Sequence, residues 1–190
     1  MNYIELVESS IAYHQLLLDD RFENDFKEVL RVLMDTFASG NKLLIAGNGG
    51  SAADAQHFAA ELVGRFLLER KGIPAIALTT DSSILTSLSN DYEFNKVFSR
   101  QVEALAVRED ALFVISTSGK SMNLVEAVEK AKTMGVITIG LLGKDGGILG
   151  ELCDYSLIIS GNDTPRIQEI HILIIHMLCQ LIEEGLFANV

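Results

Sequence analysis

Five short apolar runs, Lys42–Ala46, Ala75–Leu78, Ala111–Ser116, Val136–Leu141 and Tyr155–Ile159, punctuate this chain, and segments of helical periodicity separate them. A strand buried on both faces reads as a continuous apolar run. Strands that alternate with helices close only into a parallel sheet covered on both sides. The pattern therefore predicts an α/β fold with helices over Ser51–Phe66, Ser82–Leu88 with Glu93–Ala106, Ser121–Met134, Ile148–Leu152 and Pro165–Glu184. Two further amphipathic helices precede the first strand, one marked by Ile4, Val7, Ile11 and Leu18, the other by Phe26, Leu30, Leu33 and Phe37. Ser39-Gly40-Asn41 ends the second. A helical pair over residues 1–40 and a sheet with its helices over 41–190 make one domain of 190 residues, without repeat, linker or low-complexity tract.

Composition removes several classes of function. The net charge of −11, with no cluster of lysine or arginine, repels polyanions and excludes nucleic acid as a direct partner. Apolar runs such as LLIAG, ALFVIS and ILII are far shorter than a bilayer span, so no membrane segment is expected. MNYIELVESS lacks a basic region followed by an apolar one, which points to the cytoplasm. Cys153 and Cys179 have no CxxC partner and read as core thiols.

Ligands of parallel sheets bind where strand ends lead into helix N-termini. Two such junctions stand out: Gly47-Asn48-Gly49-Gly50-Ser51 after the first run, and Ser116-Thr117-Ser118-Gly119-Lys120-Ser121 after the third. Neither is a dinucleotide fingerprint, and Val114 stands where a Walker loop needs its first glycine. Hydroxyls and free helix N–H groups there make a phosphate cradle; simple capping of the helix by serine is the competing reading.

Histidines supply the other chemistry. His57 and Glu61 lie four apart, on one face of the helix after the glycine loop. In the last helix, Gln168 and His176 are eight apart, about 80° around the axis, and can converge on one site. His171 lies about 60° from Gln168 on the other side and is expected to pack elsewhere. His14, in the apolar register of the first helix, reads as a packed or interface histidine. Histidine, carboxylate and amide oxygen form a donor set that suits zinc, although no HExxH motif supports it.

GNGGSAADAQHFAAEL, LTTDSSILTSLSNDYEFNKVFSRQVEAL, ISTSGKS, GLLGKDGGILGELCDYSLII and TPRIQEIHILIIHMLCQLIEE together resemble the phosphoheptose isomerases. The resemblance runs from about Asn41 to the C-terminus. It implies the three-layer sugar isomerase (SIS) fold with a five-stranded parallel sheet, a cytoplasmic homotetramer with active sites between subunits, and N-terminal helices in the oligomer interface. The implied reaction converts sedoheptulose 7-phosphate to glycero-manno-heptose 7-phosphate for bacterial lipopolysaccharide, capsule or related glycans. It also implies one zinc per site, held by His57, Glu61, Gln168 and His176. Carried-over substrate contacts are Asn48, Gly49, Gly50, Glu61, Asn90, Asp91, Ser116, Thr117, Ser118, Ser121 and Gln168. Such an isomerisation needs a base to take a proton from C1 and an acid partner as the proton returns at C2, which designates Glu61 and His176. Lys120 stands where the family usually has asparagine, and Pro165 occupies a variable site.

Two alternatives are kept. A related non-catalytic SIS protein binds the bacterial replication initiator and lacks the glutamate and second histidine of the zinc set; both Glu61 and His176 are present here. An isomerase acting on an amino sugar or pentose phosphate would not be expected to carry this histidine, glutamate and glutamine constellation.

Overall fold

The computed structural model describes residues 2–187; residue 1 and residues 188–190 of the expected domain lie outside the described residues. Strands β1 (Leu43–Gly47), β2 (Ala75–Ala77), β3 (Ala111–Ser116), β4 (Ile137–Gly143) and β5 (Tyr155–Ile159) form a parallel sheet in the order β2-β1-β3-β4-β5. The three central strands are apolar on both faces, as the sequence pattern requires. Helices α1 (Tyr3–Gln15), α2 (Asp20–Ala38), α3 (Gly50–Val63), α4 (Ser82–Asp91), α5 (Ser99–Leu105), α6 (Met122–Thr133), α7 (Gly147–Leu152) and α8 (Thr164–Phe187) surround it. One face of the sheet buries side chains of α2, α3 and α8, and the other those of α5, α6 and α7.

This strand order places the site. Successive connections from β1 run outward to β2 and then back to β3, so loops leaving β1 and β3 diverge and leave a crevice between their strand ends. Gly47, the last residue of β1, pairs with Ile115, the penultimate residue of β3. Both junctions singled out in the sequence therefore flank one crevice.

α3 is locked onto the sheet by Phe58, whose ring meets Phe113 of β3 edge to face at 5.3 Å and 78°, a contact contributing about 0.5–1.5 kcal/mol beyond its buried area. α2 belongs to the same layer, with Phe22, Phe26, Val29, Val32 and Leu33 in the core. α1 differs: it buries none of its residues and leaves Tyr3, Ile4, Leu6, Val7 and Ile11 exposed. Among the described residues the first helix meets the core only at Tyr13 and leaves most of its apolar residues exposed.

Two expectations need correction. α3 ends at Val63 rather than Phe66, because Gly64 leaves helical geometry and the Phe66 N–H goes to the Glu183 carboxylate at 2.8 Å. The expected helix over Glu93–Ala106 is a 3₁₀ turn, Phe94–Lys96, followed by α5; Glu93 is extended there, at φ −138° and ψ 154°. The expectation of no membrane segment stands: α8 is long and apolar enough, with a mean hydropathy of 1.5, to pass a composition test for a span, as a core helix also does. Interspersed polar residues divide its apolar runs, and its buried stripe, which includes His171 and Glu183, packs on the sheet.

Candidate active site

The glycine loop begins the site. Gly47 has no room for a side chain, since a Cβ would overlap the Ser51 carbonyl one turn ahead, and Gly49 has a φ of +56° that favours glycine. A Cβ on Gly50 would overlap the Gln168 amide. The tight turn thus lets the first residue of α3 touch α8, which brings the two histidine-bearing helices together.

At that contact His57 Nε2 and His176 Nε2 face each other at 2.9 Å, and His57 Nε2 is 3.5 Å from Glu61 Oε1. Two facing imidazole nitrogens need a proton or a cation between them, because both lone pairs cannot point at one another unshared. Gln168 donates its amide to Asp54 at 3.3 Å, leaving its oxygen as an acceptor. Burial pushes the Asp54 carboxyl above the ordinary carboxylate range, while the Gln168 hydrogen bond and nearby His57 oppose the shift. Among the described residues no three histidine, cysteine or carboxylate side chains form a complete metal cage by themselves. The amide of Gln168 meets α3 nearer its start, at Gly50 and Asp54.

The second loop carries hydroxyls. Ser116 Oγ accepts the Gly119 N–H at 3.0 Å, Ser118 Oγ accepts the Lys120 N–H at 3.3 Å, and Ser121 Oγ is 3.5 Å from Ser116 Oγ. Ser121 occupies the N-cap of α6, yet its side chain makes no capping bond. First-turn N–H groups of a helix lack intrahelical partners. The capping alternative is therefore not realised, and a hydroxyl beside unpaired N–H groups is what a phosphate requires.

A reciprocal amide pair ties the loops together. Asn48 donates to Asn123 at 2.9 Å and accepts from it at 2.8 Å, so the glycine loop is fastened to the first turn of α6. The loop after β4 closes the far side: Gly119 has a φ of +64°, its carbonyl accepts the Leu149 N–H at 3.0 Å, and a Cβ on it would overlap the Gly146 carbonyl.

Comparison with known proteins bears on the family and the fold. A SIS domain model matches residues 13–143. A phosphoheptose isomerase of Trichlorobacter lovleyi is 63% identical over 161 residues, 85% of this chain and 82% of that protein. The chain belongs to the phosphoheptose isomerase family. Another phosphoheptose isomerase, from Geotalea daltonii, is 52% identical over 98% of both chains. The solved structure of the Neisseria gonorrhoeae phosphoheptose isomerase GmhA superposes with a TM-score of 0.90 at 40% identity, covering 96% of this chain and 97% of that one.

Within this phosphoheptose isomerase chain, the structure brings together His57, Glu61 and His176, sets Gln168 against Gly50 and Asp54 of α3, and fastens Asn48 to Asn123 of α6. Asn90 and Asp91 are placed differently. They sit on the exposed last turn of α4, with Asn90 donating to Asp91 at 2.8 Å. Among the described residues no hydrogen bond or ion pair links them to the histidine pair. His171 is fully buried, as its angle on α8 predicts, and His14 is exposed, donating Nδ1–H to the Ser10 carbonyl at 2.7 Å. Burial pushes both cysteine thiols up to about 12, which leaves them unreactive. Asp54 and Asn123 were missed by sequence reading. Asp54 lies one helical turn before His57, a spacing that was available as a signal; nothing in the sequence announces Asn123 as the partner of Asn48.

Proposed function

We propose that this protein interconverts sedoheptulose 7-phosphate and glycero-manno-heptose 7-phosphate, the aldose–ketose step that opens bacterial heptose synthesis. The observation that carries this reading is the meeting of His57, Glu61 and His176, with Gln168 packed on the same helix α3 at Gly50, in a chain with phosphoheptose isomerase relatives at over 50% identity. The replication-initiator alternative is disfavoured, since the glutamate and second histidine that such a binding module lacks are both present.

Ser116, Thr117, Ser118 and Ser121, with the first turn of α6, bind the phosphate. Asn48, Gly49 and Gly50 line the sugar chain; Asn90 and Asp91, on the exposed last turn of α4, are retained as substrate contacts on the family resemblance alone. Glu61 takes the C1 proton of the ketose, and the electron pair left on C1 becomes the C1–C2 double bond of a cis-enediol(ate). A proton is then delivered to C2, while His176 moves protons at the substrate oxygens. Gln168 hydrogen-bonds a sugar oxygen.

The donor types present suit a zinc ion: facing imidazole nitrogens at 2.9 Å and a carboxylate oxygen 3.5 Å from one of them, with the Gln168 amide oxygen as a further donor from α8. His57, Glu61, Gln168 and His176 would hold it, and it would polarise the oxygens on which negative charge develops. Glu61 and His176 then serve both as ligands and as proton carriers, two roles that metal removal and substitution separate.

The protein works in the cytoplasm as a homotetramer. The exposed apolar residues of α1 line a groove of about 610 Å³ with Arg166 and Glu169 of α8, a surface suited to a second subunit.

A coupled assay with sedoheptulose 7-phosphate, with and without chelator, tests the reading. Turnover that disappears in Glu61→Gln while the oligomer persists supports it. Undiminished turnover in that variant removes Glu61 as the base, and an active preparation free of zinc removes the metal.

A further inference from the structure

Eleven residues of irregular chain separate α3 from β2, and one buried ion pair organises their beginning. Glu183 of α8 accepts three consecutive backbone N–H groups, from Phe66, Leu67 and Leu68, at 2.8, 2.8 and 2.9 Å. Its fourth partner is Arg70, whose Nε donates at 2.8 Å; the two side chains are 2% and 1% exposed. The remaining guanidinium nitrogens point back at the end of α3, where Nη2 donates to the Glu61 carbonyl at 2.9 Å and Nη1 to the Leu62 carbonyl at 2.7 Å.

These bonds act on the site in two places. Residues seven apart on a helix are only about 20° apart around its axis, so Glu183 lies on the same side of α8 as His176, two turns on. The backbone that Glu183 holds carries Phe66, whose ring stacks on the His176 imidazole at 5.6 Å and 29°. Meanwhile Arg70 closes the carbonyls of the very turn that bears Glu61. The pair thus fixes one end of the acid–base couple through the backbone and the other through an aromatic wall.

We infer that Arg70 and Glu183 are positioning residues for catalysis, setting Glu61 and His176 relative to each other through the 64–70 segment, with Phe66 fixing the plane of the His176 ring. The inference rests on the isomerase reading above. It assigns these residues no contact with substrate. Errors of about 1 Å in such placement cost on the order of 10²-fold in rate.

The test compares Glu183→Gln, Arg70→Lys and Phe66→Leu with the unaltered protein, all in the assembled form and corrected for folded fraction by near-UV circular dichroism. The expected result is a kcat lowered roughly tenfold to a hundredfold, with KM for the sugar phosphate changed less than about threefold because the phosphate loop is untouched. Glu183→Ala should fall further than Glu183→Gln, whose amide oxygen still accepts N–H groups. A second measurement is independent of turnover: in Glu183→Gln and Arg70→Lys the His176 imidazole resonances should lose the ring-current shift of Phe66. Unchanged kcat per folded subunit, or unchanged His176 resonances with Phe66 still present, overturns the inference. If Glu183→Gln and Arg70→Lys do not fold, Glu183→Asp, which keeps the charge but shortens its reach to Arg70 and the 66–68 N–H groups, is read in their place, and unchanged kcat and His176 resonances overturn the inference. Should the unaltered protein not isomerise the sugar at all, the functional reading fails, and the resonances still judge the coupling.

Discussion

Single residues here separate binding from stability. Ser121 is the clearest instance, because an N-cap serine that makes no capping bond contributes its hydroxyl elsewhere. Ser121→Ala should therefore change the melting temperature little, sparing the ~1 kcal/mol that a working cap loses. Loss of one hydrogen bond to a charged phosphate, about 1.5–3 kcal/mol, should raise KM roughly tenfold to a hundredfold. Steady-state kinetics beside a thermal melt checks both. His171 does the opposite. Burial lowers its pKa to about 4, opposed weakly by the neighbouring Leu142 carbonyl. An unfolded histidine titrates near 6.5, so between those values the unfolded chain takes up a proton that the folded one refuses, and stability falls as pH drops from 6.5 to 4. The loss approaches about 3 kcal/mol at the lower end. His171→Leu should abolish that part of the slope, measurable by urea unfolding at pH 7 and pH 4.5.

At the scale of elements, the connection after α3 depends on a carboxylate from another helix. Removing one partner of a buried ion pair costs roughly 3–5 kcal/mol, and Glu183→Ala also strands three backbone donors. It should be among the more destabilising single substitutions in α8, read as a lowered urea midpoint. The element scale also shows what could be read in advance. The five strands and their neighbouring helices were legible because buried runs and 3.6-residue periodicity are local. His57, Glu61, Gln168 and His176 were legible as helix-face pairs for the same reason, although their convergence came from family resemblance. The end of α3 was not, because Phe66 leaves the helix for an acceptor more than a hundred residues away. Asn123 escaped for the same cause: its partner, Asn48, is 75 positions distant.

Over the whole molecule, three hydrogen-bonded carboxylates, buried Asp110 and Glu183 and the more exposed Asp154, set the response to acid. Burial opposes ionisation of Asp110, Asp154 and Glu183. It is outweighed by Lys42 and nearby N–H groups at Asp110, by Thr138 and Lys132 at Asp154, and by the 66–68 backbone and Arg70 at Glu183. Their folded pKa values lie below the ordinary carboxylate range, so their stabilisation is complete above that range. It is lost as pH falls through the lowered values, below about 4. Urea midpoints should decline first with His171 and then again, more steeply, under pH 4. The proposed assembly is tested at the same scale: charged residues at Val7 and Ile11 of α1 should lower the sedimenting mass while leaving the far-UV spectrum unchanged.

The interlock between the phosphate loop and the loop after β4 also bears on how such a protein can diverge. A methyl group on Gly119 would strike the Gly146 carbonyl, and one on Gly147 would sit 2.6 Å from the Gly119 oxygen. Neither loop admits a first mutational step on that side, and a change in one has no compensating change available in the other. Inherited variation is left to positions such as Lys120, which projects outward. A lineage built on this frame can drift in the sugar it accepts far more readily than in its demand for a phosphate.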